Sequence, residues 1–208
     1  HTTYMRNEIL SDEKTLWLDN LEKAPNSSRV HALLGKTLLN EGEYQQALDE
    51  FREAIRLKRW VNLTEPAIYQ CYIGNFFLDV MGDDKKAESH YEKSLEYTYS
   101  HEYFNGMAMV NLKRGNLAQA EDLVQQAIKI RPGIPDYRNN YALVLLKQGR
   151  LDEAISSGQK ALELKKDYGA PNGIIAEALH QKGLKAESII YWERYVQREP
   201  ERYYAPSD

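Results

Sequence analysis

The chain has 208 residues, 42% of them hydrophobic and 28% charged, with a formal net charge of −4. That length allows one or two globular domains, and its interleaved charges offer no basic stripe, so nucleic acid is not an expected partner. No apolar run approaches the roughly 20 residues that cross a bilayer. Cys71 is the single cysteine, which excludes an intrachain disulfide. The chain begins at His1 rather than Met, and the expectation is that it was cut or processed from something longer.

The first predicted element is a helix over 12–24, inside an N-terminal segment 1–25. Ser11 or Asp12 is placed to cap it by accepting backbone N–H bonds, and Glu13 suits the positive end of its dipole. Leu16, Trp17 and Leu21 form its apolar face. It reads as half a repeat that caps the array.

Residues 26–59 form the first full helix–turn–helix unit. Leu34 and Gly35 stand where two helices approach closely, Gly42 makes the turn, and Tyr44, Ala47, Phe51 and Ala54 pack the second helix. The next unit, 65–100, is irregular. Extra residues lie around Trp60 to Pro66, either a binding loop or a drifted linker, and Pro66 suits a first helical turn. The turn at Met81-Gly82-Asp83 is one residue longer than that of the first unit. Three regular units follow at 101–134, 135–168 and 169–202. Trp192 and Tyr195 make the last one bulky. Its final apolar face either covers itself with Trp192, Tyr195, Tyr203 and Tyr204 or meets another chain.

The spacing is regular. Gly115, Gly149 and Gly183 are 34 apart (149 − 115 = 34; 183 − 149 = 34), as are Ala120, Ala154 and Ser188. Pro132, Lys166 and Pro200 keep the same interval. Within 135–168, Tyr141, Ala142 and Leu145 make one helical stripe, Gly149 closes the helix in the φ > 0 region, and Leu151, Ala154, Ile155, Ala161 and Leu162 make the second. Two helices per 34 residues resembles the tetratricopeptide repeat (TPR) family, over about four-fifths of the chain. The resemblance implies an all-α fold, an α-α superhelix of about five repeats plus the N-terminal half-repeat.

No catalytic constellation stands out. His1, His31, His90, His101 and His180 show no metal-type pairing, no glycine-rich phosphate loop occurs, and Cys71 reads as a buried thiol. No metal and no cofactor are expected, and the chain is not expected to be an enzyme. Asn26-Ser27-Ser28 and Asn62-Leu63-Thr64 match the short glycosylation sequon.

In the repeat family the concave side, built from first helices, binds partners. The period places Arg29, Ala32, Lys36 and Asn40 there, then Ile68, Cys71, Asn75 and Asp79. Glu102, Asn105, Met109 and Lys113 follow, then Asp136, Asn139, Leu143 and Lys147, and finally Gly173, Glu177 and His180. Asn75, Asn105 and Asn139 read as a column of amides, able to donate to and accept from an extended peptide backbone, or as ordinary polar residues of a wet groove. The pattern by which some family members clasp a chaperone's C-terminal carboxylate is not met, because Tyr72 and Gly106 stand where polar contacts are needed.

The N-terminal stretch also resembles the entry segment of TMTC-type multi-spanning membrane proteins and their bacterial relatives. Arg6, Asp12, Glu13, Leu16, Trp17, Pro25, Asn26, Arg29, His31, Leu34 and Gly35 match, while Leu10 replaces an expected Trp. That resemblance implies an extracytoplasmic tail of a glycosyltransferase-like protein, with any transferase chemistry in a membrane region outside this sequence. The alternative is a free-standing scaffold in the cytoplasm or periplasm. Either way the partner is a protein or peptide, this stretch makes no direct membrane contact, and a homodimer through the C-terminal repeat is expected.

Overall fold

The computed structural model of the chain describes residues 13–57 and 64–198. These residues form eleven helices: α1 Glu13–Lys23, α2 Ser28–Asn40, α3 Tyr44–Leu57, α4 Thr64–Asp79, α5 Asp84–Ser94, α6 His101–Lys113, α7 Leu117–Ile130, α8 Pro135–Lys147, α9 Leu151–Leu164, α10 Ala170–Gln181 and α11 Lys185–Arg198. No strand occurs among the described residues. The expected caps Ser11 and Asp12, the insertion residues Trp60 to Leu63, and Tyr203 and Tyr204 lie outside the described residues.

The chain divides into two compact units, His1–Gly106 and Met107–Asp208, with the division inside α6. In each unit the helices pair antiparallel across three- or four-residue turns. Every such turn carries a glycine with positive φ: Gly42, Gly82, Gly115, Gly149 and Gly183. Gly149 shows why. Its N–H bonds to the Leu146 carbonyl and that of Arg150 to the Leu145 carbonyl, closing α8 with the backbone reversed at φ 75. The α4–α5 turn holds residues 80–83 against 148–150 in the α8–α9 turn, one residue longer as the spacing requires. Asp83 uses that extra length to cap α5, accepting from the Lys86 N–H at 3.0 Å.

In the first unit, Leu34, Leu38, Ala47, Leu48, Phe51, Ile73 and Phe76 form one core. Trp17 and Leu21 of α1 pack on it. Small residues set the helix spacing. A Cβ placed at Gly35 would come within 2.9 Å of the Phe51 ring. Tyr91 is fully buried, and both Gly74 and Gly106 lie against its ring.

In the second unit the small-residue column of second helices is closed to solvent: Ala120 and Ala154 are 0% exposed and Ser188 2%. The Ser188 hydroxyl is satisfied by donating to the Ala176 carbonyl at 2.9 Å. Leu145, Leu146, Ala154 and Ala178 make a core on which Leu143, Ile155 and Ile174 pack.

Candidate functional groove

The predicted groove residues separate into three groups. Arg29 and Lys36 on α2, Asp79 at the end of α4, Lys113 at the end of α6 and Lys147 at the end of α8 are exposed. Asn105, Met109 and Glu177 are half-buried, and Glu177 accepts from the Gln181 side chain at 2.8 Å. Asn40 ends α2, and its side chain lies outside the described residues. Ala32 and Cys71 correct the expectation for their column: they are 6% and 1% exposed and belong to the helix–helix interior. Cys71 sits beside Ser94 and Ser100, and burial pushes its thiol up to about 12, so it is inert at neutral pH.

The amide column also needs correction. Asn105 and Asn139 share a register (139 − 105 = 34), but Asn75 does not (105 − 75 = 30). Counted by the same interval, Asn75 aligns with Met109 and Leu143 instead (109 − 75 = 34; 143 − 109 = 34). Its amide is also committed to the fold. The buried Tyr91 hydroxyl donates to Asn75 Oδ1 at 2.7 Å. Burial raises the Tyr91 phenol well above its ordinary range, so it remains a neutral donor.

In the second unit a groove of about 290 Å³ is lined by Asn139 and Leu143 of α8, Ala170, Gly173 and Ile174 of α10, and Trp192 and Tyr195 of α11. The walls are apolar and aromatic, with no charged side chain among them. The Trp192 and Tyr195 rings meet edge to face, 5.8 Å between centroids at 76°. Gly173 makes room for Tyr195: a Cβ there would lie 3.2 Å from its Cδ2. One side-chain amide stands in this wall. Asn139 is 8% exposed, its Nδ2 reaches only the Asn140 side chain at 3.5 Å, and its Oδ1 has no hydrogen-bond partner among the described residues. A buried acceptor left unmatched costs about 1–3 kcal/mol.

Trp192 and Tyr195 were assigned by sequence to outer packing, not to this wall. The signal was in the same 34-residue register. Gly158 and Ala161 hold the equivalent positions one repeat earlier (192 − 158 = 34; 195 − 161 = 34), so two small residues become aromatic opposite Gly173.

Two stretches match family models described as tetratricopeptide repeat, residues 28–59 and residues 105–169. This is a tetratricopeptide repeat protein. No curated protein matches its sequence. Solved structures do match the repeat protein. A chain of the APC/C hetero-tetramer Cut9-Hcn1 aligns at TM-score 0.75 and 16% identity, covering 95% of this chain and 38% of that one. A thermophilic TPR protein of Thermus thermophilus aligns at 0.69 and 19% identity, covering 84% and 92%. YrrB, described as a TPR protein with an unusual peptide-binding site, aligns at 0.53 and 18% identity, covering 90% and 94%. At these identities the likeness is one of fold: all-α, built of tetratricopeptide helix pairs. The repeat protein has no helix, among the described residues, long and apolar enough to cross a membrane. Nor do three or more His, Cys, Asp or Glu gather there as a metal site.

Proposed function

We propose that the chain is a non-catalytic binding module that holds a peptide or protein segment in the α8–α10–α11 groove. The observation that carries this reading is the groove itself, with apolar and aromatic walls around one amide acceptor, Asn139 Oδ1, that the fold leaves unused. An apolar side chain would seat against Leu143, Ile174 and Trp192 while a backbone N–H of the same segment donates to Asn139. Arg29, Lys36, Asn40, Asp79, Asn105, Met109, Lys113, Lys147 and Glu177 are proposed as further contacts within their own units. Peptides selected from a random display library should bind the wild type and lose about tenfold in affinity with Asn139→Ala or Leu143→Ala. Selected peptides that bind both well-folded variants as tightly as the wild type refute the groove as the site.

As a finer form of this reading, the module is the extracytoplasmic tail of a membrane glycosyltransferase-like protein, positioning acceptor proteins. The N-terminal resemblance supports it, and roughly ten bilayer-length apolar segments encoded upstream of His1 are the expected outcome. A start codon at or just upstream of Met5 would favour a free-standing scaffold, which the fold accommodates equally well. Two copies are proposed to pair through α11, where Ile189 and Ile190 are 56% and 48% exposed beside Trp192 and Val196. Light scattering across a concentration series should show a dimer that Ile189→Asp dissociates.

A further inference from the structure

A second cleft lies on another face of α8 from the groove. Here α8 and α9 are joined by the Ser157 hydroxyl, which donates to the Arg138 carbonyl at 2.8 Å. Beside that bond opens a cleft of about 240 Å³ lined by Arg138, Tyr141, Glu153, Ser156 and Lys160. It shares no residue with the Asn139 groove, because 138 and 141 lie on a different helical face from 139 and 143.

The charges of this cleft are unevenly committed. Glu153 is held by Arg150, whose Nε and Nη2 donate to its two oxygens at 2.7 and 2.6 Å. The Tyr141 hydroxyl donates to Glu121 at 3.2 Å, and Glu121 in turn accepts from Arg150 at 2.7 and 2.8 Å and from Gln148 at 2.9 Å. The acidic and phenolic groups here are therefore already matched. The Arg138 guanidinium and the Lys160 ammonium have no hydrogen-bond or ion-pair partner among the described residues. Ser156, on the exposed rim, adds a hydroxyl donor. Two unmatched cations and a hydroxyl thus face one concave space whose only carboxylate is neutralised by Arg150. An arginine fork beside a lysine point charge is the donor set that fits an oxyanion.

We propose that Arg138, Lys160 and Ser156 bind an oxyanion carried by a partner protein, a phosphate monoester or a side-chain carboxylate. This site is separate from the peptide groove and does not depend on it. It gives the module a second, charge-read contact on another face of the same repeat.

The test uses the full chain and three peptides of one sequence, bearing phosphoserine, glutamate or serine at the centre, together with inorganic phosphate as the minimal probe. Binding is read from ¹⁵N chemical shifts, including the Arg138 side-chain Nε. Phosphoserine and glutamate peptides, or one of the two, should bind saturably and shift Arg138, with the serine peptide at least about tenfold weaker. Phosphoserine alone binding identifies phosphate as the source, and both binding identifies acidic side chains as well. Arg138→Ala and Lys160→Ala should each weaken binding about tenfold, Ser156→Glu should abolish it by filling the cleft with a carboxylate, and Lys185→Ala, on α11 and outside the lining of the cleft, should change nothing. Circular dichroism verifies that each variant is folded. Absence of saturable binding by phosphate and both anionic peptides overturns the proposal. So does binding that Lys185→Ala weakens as much as Arg138→Ala, which would mark nonspecific attraction to surface charge.

Discussion

Adding a single methyl group at Gly106 should destabilise the first unit, although alanine is the better helix former. Gly106 lies within α6, where Gly→Ala ordinarily gains about 0.5–1 kcal/mol. Here the added Cβ would lie 2.3 Å from Tyr91 Cε1 and 2.4 Å from Cζ, far inside van der Waals contact. The ring cannot simply yield. It is 0% exposed, Gly74 lies against the same edge, where a Cβ would come within 2.6 Å, and the hydroxyl is held by Asn75. Overpacking of this kind costs about 1–3 kcal/mol, so it outweighs the propensity gain and leaves a net loss of about 1–2 kcal/mol. Urea unfolding followed by circular dichroism reads this as a midpoint lowered by about 1 M for a slope of about 1–3 kcal/mol/M. The control is the same substitution in a Tyr91→Ala background. With the ring gone the clash disappears, and Gly106→Ala should turn stabilising by about 0.5–1 kcal/mol. A neutral or stabilising Gly106→Ala in the wild-type background would refute the claim that Tyr91 fills the space both glycines leave.

Three further outcomes are expected. Tyr91→Phe removes the donor to Asn75 without opening a cavity, and because Asn75 is half-buried, thermal unfolding should show a loss of about 1 kcal/mol. Gly149→Ala meets no atom within 4 Å, so its cost is backbone strain at φ 75 alone, about 1–2 kcal/mol in chemical denaturation, with the groove's ligand affinity unchanged. His90 gives a pH signature. Burial, then Lys93 and Arg52, lower its imidazole from 6.5 to about 4, and the neutral ring stacks on Phe77 with Nδ1 donating to Gln70 at 2.8 Å. Between those two values the unfolded chain binds the extra proton, so stability falls as pH drops from about 6.5 toward 4 and this contribution is flat below. A His90→Gln variant should lose that part of the slope in unfolding measured at steps of pH, and an unchanged slope would show that the ring is not held neutral.

Sequence alone determined the repeat and its local punctuation. A 34-residue interval carried by glycine, alanine and proline columns together is set by backbone geometry within each helix pair, where φ > 0 at the turn and a small residue at the crossing are local needs. Those needs show in residues such as Gly149 and Ala154 whatever the neighbouring repeats do. The longer turn before α5 was readable for the same reason, since one added residue shifts Ala87 against Gly74. The direction of individual polar side chains was not readable. Asn75 was assigned to the open groove, but a tyrosine sixteen residues on needed an acceptor for its buried hydroxyl, and only packing brings Tyr91 to it. Tyr195 likewise joined the groove because Gly173, on another helix, leaves it space, and Trp192 lies edge to face on its ring. The charge state of the Arg138 cleft rests on which carboxylates Arg150 has already taken, a matter of distances between helices. Local conformation follows from neighbours along the chain, whereas the matching of donors, acceptors and rings depends on residues that meet only once the helices pack. Tertiary structure alone therefore decided which side chains line the α8–α10–α11 groove and the Arg138 cleft.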